Sequence, residues 1–171
     1  MKLSKICYCG IYDPNYPRSD ILISGLKLNG VEIIYCREES NDRYRYLKLL
    51  SKIKRVSKTT NLIFVAYPAT WSAIIAKIFT NKIIVVDAFY SMYDAVVNDR
   101  KECSKFSLKE IKLWLLDWLS INLADLVITD TKTHKKYWST WPLVKSNKIF
   151  SVYLGVNDKF FSRRQNKIIN S

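Results

Sequence analysis

Residues 61–87, NLIFVAYPATWSAIIAKIFTNKIIVVD, decide the fold. Asn61 opens an unbroken apolar run, Leu62 with Ile63, Phe64, Val65 and Ala66, and Lys82 opens a second, Ile83 with Ile84, Val85 and Val86, closed by Asp87. Strands that are apolar on both faces mark a parallel sheet covered on both sides. Between them residues 69–80 read as a helix, set off by Pro68. Parallel strands need a crossover connection of this length, so the stretch is one strand–helix–strand unit at the centre of a sheet.

Working back from it, residues 41–58 read as a basic helix with Leu47, Leu50 and Ile53 at helical spacing, and residues 31–36 as a strand. Residues 20–29 form a helix with Ser19 as N-cap and Gly30 as the C-terminal stop; a ten-residue loop precedes it, and residues 5–9 are the first strand. Working forward, Ser107-Leu108-Lys109-Glu110 is a capping-box sequence opening a helix to about Asn122 that carries Ile111, Trp114, Leu115, Trp118 and Leu119. A strand over 126–129, a helix over 131–140 and a strand over 148–152 follow. The expected architecture is α/β: a Rossmann-like, doubly wound, mainly parallel six-stranded sheet with helices on both faces. It fills residues 1–157, and residues 158–171 lose periodicity and read as a linker or tail.

The chain has 171 residues, 49% of them apolar, with only four Gly and four Pro, which excludes disordered and fibrous classes. Such a domain buries roughly two-thirds of its unfolded surface and needs no disulfide or metal to hold it. Cys7 and Cys9 share one strand face, Cys36 and Cys103 stand apart, and no CxxC pair occurs; the cysteines read as small buried apolar residues of a reducing compartment. With His134 the single histidine, no metal site is expected. The first five residues run into a strand with no signal-peptide pattern. Charges interrupt both long apolar stretches, so neither spans a membrane and a cytoplasmic protein is expected.

Twenty-eight Lys plus Arg against 15 Asp plus Glu give a net charge of +13. Seven basic residues (Arg43, Arg45, Lys48, Lys52, Lys54, Arg55, Lys58) and no acid lie in 43–58, and a second concentration covers 132–167. The charge fits two solvated faces, an anionic membrane surface, a nucleic acid or phosphate-bearing substrates. No nucleic-acid motif accompanies it, so nucleic acid is the poorest of these.

In a doubly wound sheet, ligands bind outside the carboxyl ends of the strands where strand order reverses. That rule nominates residues 10–18, 67–70, 87–100 and 130–131. The first loop holds Tyr12, Asp13, Tyr16 and Arg18 ahead of a helix amino terminus, where Arg18 either grips an anion or points to water. Neither GxGxxG nor a Walker A sequence occurs, so no dinucleotide cofactor is expected. In 87–100, Asp87 ends an apolar strand, and Phe89, Asp94, Asp99 and Arg100 follow. These carboxylates can orient or deprotonate a hydroxyl, or Asp94 and Asp99 merely cap a turn and bridge Arg100. His134 sits early in a helix with no nucleophile elbow in the chain and reads as a packed or solvated residue.

The segments Gly10-Ile11-Tyr12-Asp13-Pro14 with Tyr16-Pro17-Arg18, Gly25-Leu26-Lys27 with Gly30-Val31-Glu32, Asp87 through Tyr93-Asp94 to Asp99-Arg100, and Ala124 through Thr131 with His134 come in the order seen in GT-B glycosyltransferases of family 4, and the chain resembles their amino-terminal domain. Residues 152–156 with Phe160-Phe161 are similar to the closing segment of that domain. The resemblance implies two Rossmann-like domains facing across a cleft. The amino-terminal one takes the acceptor and the carboxyl-terminal one holds the nucleotide-sugar. It implies transfer with retention and without metal, the donor phosphate helping to deprotonate the acceptor. Asp87 is then the catalytic candidate, with Arg18, Tyr12, Asp13, Tyr16, Phe89, Asp94 and Arg100 as substrate-binding candidates. Tyr16-Pro17-Arg18 stands where the family often has a glycine pair.

The expectation is therefore the acceptor-side domain of a retaining, hexosyltransferase-type enzyme that acts only with a donor-binding carboxyl-terminal half, supplied by a separate chain or a truncated region. Its acceptor would be a sugar or lipid-linked molecule, and the basic helix would rest on an anionic membrane at the inner face. The alternative is a non-catalytic module that anchors a partner transferase. Phe89, Tyr90 and Tyr93 are expected to be exposed on the cleft.

Overall fold

The structure, a computed structural model, describes residues 5–104 and 106–155. The 61–87 unit forms as read: β3 (Leu62–Val65) and β4 (Ile83–Asp87) lie side by side and parallel, Leu62 opposite Ile83 and Val65 opposite Val86, joined by α3 (Thr70–Phe79). With β1 (Lys5–Gly10), β2 (Glu32–Arg37), β5 (Leu126–Thr129) and β6 (Ile149–Ser151) they make one all-parallel sheet in the order β2-β1-β3-β4-β5-β6. The chain is an α/β, Rossmann-like domain.

Strand order reverses once, between β1 and β3. The right-handed crossover rule then puts α1 (Pro17–Leu28) on one face and α2 (Arg45–Val56), α3, α4 (Leu108–Leu123) and α5 (Lys132–Ser139) on the other. The packing follows. Cys7, Ile63, Val65, Ile84, Val86, Val127 and Ile149 meet Leu49, Ala73, Ile121 and Trp138, while Ile6, Tyr8, Phe64 and Val85 meet Leu22, Ile23 and Leu26 of α1. Helices thus cover both faces as expected, but four to one. Ile83, Leu126 and Phe150, on the α1 face beyond that helix, stay 41%, 38% and 49% exposed.

Strand limits fall within one residue of the sequence reading, and helix limits differ more. α1 starts at Pro17, three residues early, because a proline's fixed φ and missing N–H suit the first helical position. Ser19 is therefore buried inside the helix, and Tyr16 stands at the N-cap. Gly30 ends α1 as read: at φ 73° it lets its own N–H and that of Val31 return to the carbonyls of Lys27 and Leu26. α2 buries Leu49, Ile53 and Val56 rather than Leu47, which is 66% exposed. Only Ile53 belongs to both sets, so the helix is rolled from the expected face. On α4, Ser107 Oγ accepts the N–H of Glu110 at 3.2 Å, but Glu110 accepts from Phe106 instead of closing the box on Ser107. Ile111 and Leu115 face water; the buried side is Leu116, Asp117, Ser120 and Ile121.

Cys7, Cys9 and Cys36 are buried, and the parallel register sets Cys36 opposite Cys9, so Cys36 does not stand apart. Among the described residues no helix is long and apolar enough to cross a membrane. The expected tail, with Val156, Phe160 and Phe161, lies outside the described residues.

Candidate functional site

Arg18 and Asp87 meet across the switch point. Asp87 ends β4 on the α1 face and Arg18 is the second residue of α1, so sheet pleat and helix phase aim them at each other from 69 residues apart. The guanidinium grips the carboxylate with Nε at 2.8 and 2.9 Å and Nη2 at 2.5 Å. Both side chains are 2% exposed. Burial pushes the Asp87 carboxyl above its ordinary range, Arg18 pulls it back, and the charge of Asp130 adds to the upward push. Phe89 lies over the guanidinium at 4.8 Å. Arg18, expected in a loop where it either grips an anion or points to water, is instead spent on Asp87. One donor, Nη1, is buried without a partner among the described residues.

The segment after β4 is anchored from beneath by Asp117. This carboxylate accepts from Ser91 Oγ at 2.8 Å and from the N–H of Tyr93 at 2.9 Å, and Ser91 Oγ in turn accepts the N–H of Asp94 at 3.0 Å. Burial raises Asp117 to about 6, against the pull of its hydrogen bonds. The chain then winds into a π-helical stretch, Asp94–Asp99. Asp94 accepts from Asn98, Asp99 from the Tyr90 hydroxyl, and Arg100 pairs outward with Glu102 at 3.6 Å, so neither acid bridges Arg100. Trp138 Nε1 donates to the carbonyl of Ala88 at 3.0 Å.

The loop aromatics form a cluster instead of standing free. Phe89 meets Tyr16, Tyr67 and His134 edge-on at 6.4, 5.5 and 6.3 Å, and Tyr90 meets His134 at 5.8 Å. The expected exposure of Phe89, Tyr90 and Tyr93 is thereby corrected to half-burial. His134 is the element that sequence reasoning passed over. Its Nδ1 lies 2.5 Å from Asp130 Oδ1, and its N–H is capped by Thr131 Oγ1 at 3.1 Å, fixing ring and backbone at the carboxyl end of β5. The signal was present: Asp130 and His134 are one helical turn apart across a Thr N-cap. Asp117 was missed too, being the one acid within the apolar run 113–119.

Room for a ligand is unequal along this edge. The space between Asp87 and Asp117, lined also by Tyr67, Thr70 and Tyr90, holds about 10 Å³, enough for one water. Beside β1 and β2 a cleft of about 440 Å³ is lined by Tyr12, Asp13, Arg37, Glu39, Ser40 and Asn41. Tyr12 is buried against Tyr8 and burial raises its hydroxyl; Asp13 is exposed and accepts the N–H of Asn15. Gly10 turns the chain into this cleft at φ 143°, where a Cβ would lie 3.5 Å from the Ala66 carbonyl. The structure therefore gathers Tyr16, Arg18, Asp87 and Phe89 together, sets Tyr12 and Asp13 beside the open cleft, and leaves Asp94 and Arg100 on the π-helical rim.

No protein-family model matches the chain, and no curated protein does. Among solved structures, HepE of Anabaena, crystallised with UDP, matches with a TM-score of 0.52 and 11% identity over 96% of this chain. The chain spans about half the length of that protein, 50% of it. A protein of Listeria monocytogenes assigned as a UDP-N-acetylglucosamine 2-epimerase matches at 8% identity over 85% of this chain and 43% of its own, with a TM-score of 0.49. The shared fold is the α/β, Rossmann-like sheet, matched to about half of HepE.

Proposed function

We propose that this chain is the acceptor-side domain of an enzyme that moves a sugar from a nucleotide-sugar to an acceptor hydroxyl, as in family 4 of the GT-B transferases. A second Rossmann-like body, in a longer chain or a partner chain, would hold the donor. The observation that carries this reading is the superposition of nearly the whole chain on half of a protein crystallised with UDP. The carboxyl edge supports it, with a cleft of about 440 Å³ beside β1 and β2 and an aromatic cluster of Tyr16, Tyr67 and Phe89 after β4. In this reading Tyr12, Asp13 and Tyr16 contact the acceptor, and Asp94 and Arg100 border it. Asp87 and Arg18 brace the crevice as a sealed pair and keep Phe89 in place. The test is incubation of the protein, purified from its natural source, with a panel of labelled nucleotide-sugars and sugar or lipid-linked acceptors. Labelled product from one donor is expected; an intact, folded protein that turns over none overturns the reading.

A specific observation favours a peripheral-membrane role beside it. Arg55, Lys58 and Lys82 have no ion-pair partner among the described residues, and they ring a groove where Phe79 is 44% exposed with Lys54 Nζ 4.7 Å from its ring. Elsewhere on or next to α2, Lys48 and Lys52 are neutralised by Asp42 and Glu38. Each unpaired cation near anionic headgroups contributes about 1 kcal/mol. Sedimentation with anionic but not neutral liposomes, lost at high salt, is expected; equal binding to both excludes it.

A further inference from the structure

A helix packed on a sheet ordinarily turns polar side chains outward, and α3 and α4 turn apolar ones outward instead. Trp71 and Ile78 of α3 stand seven residues apart, and Leu108, Ile111 and Leu115 of α4 follow at intervals of three and four, so each set forms one stripe. Each stripe lies across the helix axis from the buried side, which is Ser72, Ala73 and Ala76 on α3 and Leu116, Asp117, Ser120 and Ile121 on α4. All five stripe residues are exposed, Ile78 to 65% and Leu108 to 87%. Because α3 and α4 pack side by side, the two stripes make one apolar strip along the outer surface of the helix layer, and a strip of that kind marks an interaction surface. The helices on either side of it are basic. Lys54, Arg55 and Lys58 on or just after α2, and Lys132 and Lys136 on α5, are exposed and have no ion-pair partner among the described residues. Two cations of α2 lie against the strip: Lys54 Nζ is 4.7 Å from the Phe79 ring, and Arg45 lies 5.1 Å over Tyr46, whose ring is 6.3 Å from Trp71. Lysine is depleted from protein–protein interfaces, whereas helices that lie in a lipid–water interface carry it beside an apolar stripe, its stem buried and its ammonium among the headgroups.

We infer that the outer face of the α2–α5 layer inserts into an anionic bilayer, the strip of α3 and α4 entering the boundary between headgroups and acyl chains while α2 and α5 hold anionic headgroups on its two sides. The inference rests on the peripheral-membrane reading above and adds apolar insertion to its electrostatic contact. Strands and helices both lie along the bilayer plane in this pose, so the carboxyl edge faces sideways over the membrane. The crevice then opens toward molecules anchored in the same leaflet.

The experiment mixes the full 171-residue chain with vesicles of acyl-brominated phosphatidylcholine, with and without phosphatidylglycerol, and reads tryptophan fluorescence and sedimentation. Bromine on the acyl chains quenches only an indole that reaches them. Quenching is expected with the anionic vesicles and not with the neutral ones, and Trp71→Phe should remove a measurable share of it. Ile78→Gln combined with Leu115→Gln leaves the net charge and the buried core unchanged, so its thermal melt should match wild type while its affinity for the anionic vesicles falls about tenfold or more. Binding to anionic vesicles without quenching, and with the double variant within threefold of wild type, overturns insertion and leaves the electrostatic reading standing. A folded chain that binds no anionic vesicles overturns both. A dimer in sedimentation velocity that the double variant abolishes, with no quenching by either vesicle, makes the strip a contact between copies of this chain and likewise overturns insertion.

Discussion

Two buried carboxylates flank the segment after β4, and they are held by opposite means. Asp87 is matched by a full charge brought from another element, whereas Asp117 is held by neutral donors from the segment it anchors, Ser91 Oγ and the N–H of Tyr93. The first arrangement ties α1 to the sheet, and its removal leaves a charge without a counterion. The second ties a loop to α4 and tolerates a neutral side chain of the same shape. Burial raises the carboxyl of both acids, but only at the first does a neighbouring cation pull it back.

The largest effect tests the first arrangement. Asp87→Ala strands Arg18 in a site 3% exposed and is expected to destabilise the domain by about 3–5 kcal/mol in urea unfolding. Arg18→Leu combined with Asp87→Leu should recover most of that loss, since an apolar pair of similar volume needs no counterion. A double variant no better than the single one would mean that the pair is not the reason for the loss.

The next is a pH series on the second. Asp117 binds its proton at about 6 when folded against 3.8 as its ordinary value. Between these values the folded chain holds the extra proton, so stability falls as pH rises from 4 to 6, by about 2 kcal/mol. Asp117→Asn is expected to flatten that slope, leaving the part of the same sign that Asp87 contributes. An unchanged slope would place the titration elsewhere.

Away from these acids the effects should shrink. Ser107→Ala removes an N-cap acceptor and is expected to cost about 1 kcal/mol with no dependence on pH between 4 and 6. Lys5→Met breaks a partly exposed pair with Glu32 and should shift stability by no more than about 1 kcal/mol in thermal melts. A larger loss than that of Asp117→Asn would reverse the ranking.

The sheet was legible because backbone pairing makes a buried parallel strand apolar on both sides, a signal that needs no partner to be read. Residues 62–65 and 83–87 carry it without interruption, and Gly30 marks a helix end by backbone conformation alone. Helix faces were less legible. Of the apolar residues expected on α4, Trp114 and Trp118 pack on the core while Ile111 and Leu115 face water; Asp117 and Ser120 are buried instead, Asp117 on the Ser91 hydroxyl that only the folded chain supplies and Ser120 on the Asp117 carbonyl of its own helix. The site divides in the same way. Asp87 was visible as an acid ending an apolar strand, but its partner Arg18 was assigned to a loop, since helix phase around Pro17 decides where the guanidinium points. His134 was set aside on a sequence context that gave no ring contact, and the contacts that reorient it come from Asp130, Phe89 and Tyr90.

The position of β1 has a consequence for the order in which the molecule can be made. Within this sheet β1 is synthesised before both of its neighbours and lies between them, and one of the two arrives late: Ile6 pairs with Ile33 on one side but with Leu62 on the other. Synthesis at about 5–20 residues per second leaves that second edge open for roughly 3–11 s. Once β2 has followed, β1 and β2 form a nascent ribbon with an unsatisfied hydrogen-bonding edge rich in apolar side chains. The emerging chain is therefore most prone to capture by chaperones, or by another nascent copy, just before β3 clears the exit tunnel.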